Sequence, residues 1–173
     1  MHKPLLIAHR GDTINFSENT LEAFQSAFDR GADGIEMDVQ MTDDGELIVV
    51  HDYMYDTSRE YPLFKDIIEK FAQKGRLEIE LKSLNTNIIS KVAEIIHTYH
   101  PLDYEITSSI LPLLPHVKNS LPDAKVGMIF RSNLMEKWMT QDFVLTLLEG
   151  YLKLTNSDVL HLEIDKYTPE IVS

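Results

Sequence analysis

Gly34-Ile35-Glu36-Met37-Asp38-Val39, followed by Thr42-Asp43-Asp44-Gly45 and Leu47-Ile48-Val49-Val50-His51-Asp52, is the stretch on which the fold turns. Gly34 to Val39 reads as a buried strand. Tight turns with Asp-Gly join antiparallel strands, whereas parallel strands need a long crossover. The strand therefore runs on, turns at Asp43 to Gly45, and comes back through Leu47 to Val50. That return brings His51 to the rim that carries Glu36 and Asp38. Reading Leu47 to Val50 as one more parallel strand would put His51 elsewhere, and the turn disfavours it.

Outward from this stretch the chain alternates. Leu5 to Ala8 is a short strand ending at His9-Arg10-Gly11. Asn19-Thr20-Leu21-Glu22 resembles a capping box with Asn19 as N-cap. Leu21, Phe24, Ala27 and Phe28 share one helical face, and Gly31 stops that helix. A helix is expected from about Leu63 to Lys74, a strand from Leu77 to Lys82, and a helix marked by Ile88, Val92, Ile95, Ile96 and Tyr99. Tyr104 to Thr107, Lys125 to Phe130 and Asp158 to Glu163 read as strands. Ser108-Ser109 opens a helix that ends near Leu121-Pro122, and Phe143, Leu147 and Leu148 mark another. Repeated strand-helix units imply an α/β fold with a parallel sheet and helices outside.

Composition sets outer limits. The chain has 173 residues, 43% hydrophobic and 25% charged, which suits one soluble globular domain spanning residues 1–173. A net charge of -12 with no basic stretch argues against nucleic acid as partner. With no cysteine, disulfides and thiolate metal sites are excluded. The apolar run before His9 is too short for a signal peptide, and no segment reaches membrane-spanning length. A cytoplasmic location is the expectation.

The polar groups gather where apolar runs stop. Residues two apart on a strand point the same way, so Glu36 and Asp38 project together, as do Glu80 and Lys82. An isolated E-x-D is usually the solvent face of a strand. A parallel strand inside helices has no such face, which favours a hard-oxygen site for Mg²⁺ or Ca²⁺. Glu78 reads instead as facing a helix or water. His9 and His51 each end a strand beside a charged residue, as a general acid and general base would. His97 and His100 sit at a helix end, where the dipole explains them, and His161 reads as core or barrel lining. Arg10 and Lys82 suit a phosphate, with salt bridges to the nearby carboxylates as the plainer alternative. Tyr53, Tyr55, Tyr61 and Phe64 line a pocket mouth or merely pack.

In residue type, order and spacing, the first half resembles the glycerophosphodiester phosphodiesterase family. The resemblance rests on Ala8-His9-Arg10-Gly11, Glu18-Asn19-Thr20, Ala23-Phe24, Gly31 to Val39, Thr42 to Gly45, Val50-His51-Asp52 and Ile79-Glu80-Leu81-Lys82. It continues weakly through Thr107-Ser108-Ser109, Leu121-Pro122-Asp123 and Val126-Gly127. It implies a TIM-type (β/α)8 barrel, a divalent cation, and hydrolysis of a small-molecule glycerophosphodiester to glycerol 3-phosphate and an alcohol. By position, it implies His9 and His51 as the acid/base pair and Glu36, Asp38 and Glu80 as metal ligands. Arg10 and Lys82 then meet phosphate, and Glu18 and Asn19 support the site.

Two departures shape the expectations. The family usually inserts a subdomain after the His-Asp pair. Here only Tyr53 to Pro62 separates Asp52 from the next helix, which implies a small or open alcohol pocket. The chain also stops at Thr168 to Ser173, which reads as the opening of a helix. A complete barrel takes about 250 residues. About six of eight barrel strands are counted, so a C-terminally truncated barrel is expected, or one whose open edge is covered by another chain, as in a homo-oligomer. The competing functions are a lysophospholipid or other lipid-headgroup phosphodiesterase on the same site, or a non-catalytic phosphodiester- or partner-binding fragment.

Overall fold

The computed structural model describes residues 4–131 and 138–162. The chain folds as β1 (Ile7–His9), α1 (Leu21–Asp29), β2 (Gly34–Met41), β3 (Leu47–Val49), α2 (Phe64–Phe71), β4 (Arg76–Leu81) and α3 (Asn87–Tyr99). There follow β5 (Asp103–Ser108), a 3-10 turn (Leu111–Leu113), α4 (Leu114–Ser120), β6 (Lys125–Ile129), α5 (Gln141–Thr155) and β7 (Val159–His161). Six strands form one curled parallel sheet in the order β1-β2-β4-β5-β6-β7, an open half-barrel. The outer face of the sheet packs on the helices. Phe24, Phe64, Phe71, Ile35, Met37, Leu77, Ile79, Ile88 and Ile106 are fully buried there. Strand residues of the other parity point into the lumen and carry the polar groups.

The return arm is present. β3 pairs antiparallel with β2, Val39 opposite Val49 and Met41 opposite Leu47, and Gly45 takes φ +88 in the turn. The Asp-Gly turn thus outweighs the tendency of an apolar run to become a further parallel strand.

Three local expectations are corrected. Asn19 does not cap α1. Thr20 does, its hydroxyl accepting from Ala23 N at 3.2 Å, while Asn19 sits at φ +58 with its amide turned into the protein. No helix starts at Ser108-Ser109: β5 runs through Ser108, and the chain first forms the 3-10 turn at Leu111. Pro112 and Pro115, each without a backbone N–H, sit in the first turn of these two short elements, where the missing donor costs nothing. Glu78 faces neither a helix nor bulk water but the lumen, with its carboxylate 3.1 Å from Arg76 Nε. Glu163 and the expected helix start at Thr168-Pro169 lie outside the described residues.

Candidate active site

The first site element is a bend. After β1 the backbone turns over at Arg10 (φ +59) and Gly11 (φ +87). Gly11 packs so closely on α1 that a Cβ there would lie 2.7 Å from the Ala23 carbonyl carbon. Only glycine meets both demands cheaply. The bend leaves His9 at the end of its strand and swings Arg10 inward. Arg10 N donates to the Glu36 carbonyl at 3.1 Å and lies 3.2 Å from the Glu36 carboxylate.

Parallel register then stacks the carboxylates. His9 lies opposite Glu36, and Asp38 opposite Glu80. Glu36, Asp38 and Glu80 each offer an oxygen, and these oxygens lie within 4.8 Å of one another. Asp38 is fully buried. It lies 3.1 Å from Lys82 Nζ and 3.1 Å from Arg10 Nε, and it accepts from Asn19 Nδ2 at 2.9 Å. Burial opposes its ionisation, but the Asn19 hydrogen bond and the Lys82 and Arg10 charges hold its carboxyl below the ordinary range. Glu36 goes the other way. Burial, reinforced by the charges of Asp38 and Glu80, pushes it up to about 8. Burial also raises Glu80, partly offset by Lys82.

The histidines differ in setting. His9 has 69% of its side chain exposed and holds Nε2 3.8 Å from Glu36 Oε2. Partial burial and then the charge of Arg10 lower its pKa, and the charge of His51 acts in the same direction. His51 pairs Nδ1 with Asp52 Oδ1 at 2.9 Å. Gln40 fastens the loop behind it, donating to the carbonyls of Val50 at 3.1 Å and Asp52 at 2.7 Å. Glu18 accepts from Arg10 Nη1 at 3.1 Å.

The structure therefore brings His9, Arg10, Glu36, Asp38, Glu80 and Lys82 to one rim, with Asn19 and Glu18 behind them. Beside His51 opens a cavity of about 560 Å³ whose walls include Glu18, Asn19, Tyr55 and Tyr61. Phe64 is core, and Tyr53 lies under Lys82 with its ring centroid 5.8 Å from Nζ. The plainer alternative for Lys82 also holds: its side chain is 3% exposed and its ammonium is committed to Asp38. His97 and His100 lie at the end of α3. His161 lines the lumen as expected, but with a partner the sequence did not reveal, Glu105 Oε1 at 2.6 Å. Two rim residues were also missed. Ser109 Oγ lies 3.3 Å from Glu80 Oε1, and Arg131 Nη2 lies 3.3 Å from Ser109 Oγ. Arg131 follows the apolar run Met128-Ile129-Phe130, the same ending that marks Arg10 and Lys82.

The family model for the glycerophosphoryl diester phosphodiesterase family matches residues 9–65, from the first histidine through the return arm. A glycerophosphodiester phosphodiesterase of Caldanaerobacter subterraneus is 33% identical over 171 residues, covering 79% of this chain and 70% of that protein. The chain belongs to the glycerophosphoryl diester phosphodiesterase family. Within it, a glycerophosphodiester phosphodiesterase of Bacillus altitudinis is 31% identical over 156 residues, covering 65% of this chain and 64% of the relative. The fold matches that of an Oleispira antarctica phosphodiesterase solved in complex with the product sn-glycerol-3-phosphate. There the TM-score is 0.77 at 20% identity, covering 98% of this chain and 78% of the other. The family's barrel frame thus extends over the described strands. No described helix is long and apolar enough to cross a membrane.

Proposed function

We propose that the chain hydrolyses glycerophosphodiesters to glycerol 3-phosphate and an alcohol. The proposal includes a divalent cation at Glu36, Asp38 and Glu80 and His9 and His51 as the proton-transfer pair. The observation that carries this reading is the convergence of three carboxylate oxygens within 4.8 Å, two of the three residues being buried. Burial first, and then the neighbouring charges of Asp38 and Glu80, raise the Glu36 carboxyl, and a cation among the three would offset both. The donor set fits in kind, being oxygen only, with Lys82 Nζ also 3.1 Å from Asp38 Oδ1. An all-oxygen set favours Mg²⁺ or Ca²⁺ over Zn²⁺.

The cation, when bound, supplies charge neutralisation at the phosphoryl oxygens. Arg10 and Lys82 hold Asp38 ionised and add positive potential at the rim. One histidine removes a proton from the attacking water, or from the substrate's own glycerol hydroxyl on a route through a cyclic phosphate that water then opens, and the other protonates the leaving oxygen. Asp52 holds the His51 ring by Nδ1, leaving Nε2 for the reaction. The cavity beside His51 takes the alcohol. Glu36→Gln tests the reading: affinity for Mg²⁺ or Ca²⁺, read by calorimetry, falls together with turnover. Unchanged affinity and turnover would remove the metal site from these residues.

A further inference from the structure

We propose that Arg131 is a phosphate-contacting residue on the lumen side of the site, held in place by Ser109. It rests on the phosphodiesterase reading above. Arg131 lies two residues past the end of β6, at the same rim as the carboxylates, and is exposed. It lines a cavity of about 370 Å³ shared with His9, Glu36, Glu80 and His161. The contrast with the other two rim cations motivates the assignment. Arg10 is 19% exposed and points Nε at Asp38, and Lys82 is 3% exposed with its ammonium on the same carboxylate. Both serve mainly to keep Asp38 charged. Arg131 instead donates to a neutral hydroxyl, Ser109 Oγ at 3.3 Å, and among the described residues it makes no ion pair with a carboxylate.

The link through Ser109 gives the guanidinium a position. Ser109 Oγ also lies 3.3 Å from Glu80 Oε1, so one hydroxyl connects the proposed metal ligand to Arg131. Ser109 is fixed by its chain neighbour, for Ser108 Oγ donates to the Leu81 carbonyl at 2.7 Å and accepts from Ile110 N at 2.9 Å. The rest of this cavity is lined by acids, histidines, Thr107 and apolar groups, and among the described residues Arg131 is its one Arg or Lys. A guanidinium facing an anion here can donate two parallel hydrogen bonds, which a lysine cannot reproduce. The recognised chemistry is a phosphate oxygen anion, whether of the diester substrate or of free phosphate.

The test compares wild type, Arg131→Ala and Arg131→Lys on glycerophosphoethanolamine and glycerophosphoserine, with inorganic phosphate as inhibitor. For Arg131→Ala, KM rises about tenfold or more on both substrates, the size of a lost charge-assisted contact, while kcat changes much less. Inhibition by inorganic phosphate weakens by a similar factor, and Arg131→Lys recovers only part of the loss. Ser109→Ala gives a smaller KM rise, because it removes the positioning and leaves the charge. Three results overturn the proposal: a KM rise confined to the serine diester, which would place Arg131 on the alcohol; a fall in kcat with KM unmoved; or unchanged phosphate inhibition. If wild type turns over neither substrate, the functional reading fails separately. Calorimetry of inorganic phosphate then decides Arg131, with equal affinity in wild type and Arg131→Ala overturning it.

Discussion

His9 and His51 reach the rim by different routes, one at the end of a parallel strand and one at the end of an antiparallel return. Their loss should show as chemistry rather than as folding, because both rings are substantially exposed. His9→Ala and His51→Ala should each lower turnover by about a hundredfold or more, as positioned acid/base groups do. His97→Ala and His100→Ala, at the far end of α3, should not. A substrate with a good leaving group separates the roles, since the histidine acting as acid matters much less for it. Two losses of equal size on both substrates would refute the pairing. The place of His9 and His51 at strand ends was legible because the two, each beside a charged residue, were expected at one rim, whereas a lone strand-end histidine is usually structural. Asn19 was only half legible. Asn-Thr-Leu-Glu fits a helix cap by local rules, but Asp38 needs a buried donor, and that tertiary demand took Asn19 and left the cap to Thr20. Ser109 and Arg131 carried the same strand-end signal more faintly, a serine being common after any strand.

At the scale of elements, short apolar runs between helical segments and the Asp-Gly turn identified all the described strands and the antiparallel arm. Their ends moved by one or two residues. What the pattern could not show was a polar link inside the lumen. His161 of β7 meets Glu105 of β5 at 2.6 Å, and Glu105 also meets Arg76. Gly127 of β6 makes room, since a Cβ there would lie 2.8 Å from His161 Nε2 and would collide with Glu105. Residues 56 apart in sequence cannot be paired by local rules. The link should make the attachment of β7 depend on pH. Burial opposes protonation of His161, but the Glu105 hydrogen bond and charge, with a contribution from Glu78 and against Arg76, raise its pKa above 6.5. A raised folded-state pKa gives a stabilisation fully present below 6.5 and lost as pH rises through the folded value. Thermal unfolding of wild type and His161→Gln should therefore differ most at acidic pH and converge at alkaline pH. A difference that grows with pH would mean that His161 is neutral in the fold.

For the whole molecule, the sheet is an open half-barrel in which, among the described residues, β1 and β7 each pair on one side only. Leu5 and Leu6 beside β1 are exposed, at 56% and 63%. Unpaired strand edges with apolar flanks recruit other chains. Sedimentation velocity on this chain should show concentration-dependent association, and hydrogen exchange should find Val159 to His161 poorly protected in the dilute protein. A stable monomer with strong protection there would mean that the edge is closed in another way. The fold class was legible from strand-helix alternation, and the extent of the sheet from counting strands. The lumen's polar layer was not, because inward parity says which residues face one another across the barrel only after the register is known. The carboxylate cluster on this open frame is expected to support phosphodiester hydrolysis. Its most direct test is release of glycerol 3-phosphate from glycerophosphoethanolamine by this chain, with Mg²⁺ or Ca²⁺ and again after chelation. Release is expected with the cation, loss on chelation, and recovery when the cation is restored to wild type but not to Glu36→Gln. Undiminished release by wild type in chelator, or full release by Glu36→Gln with the cation, would contradict it.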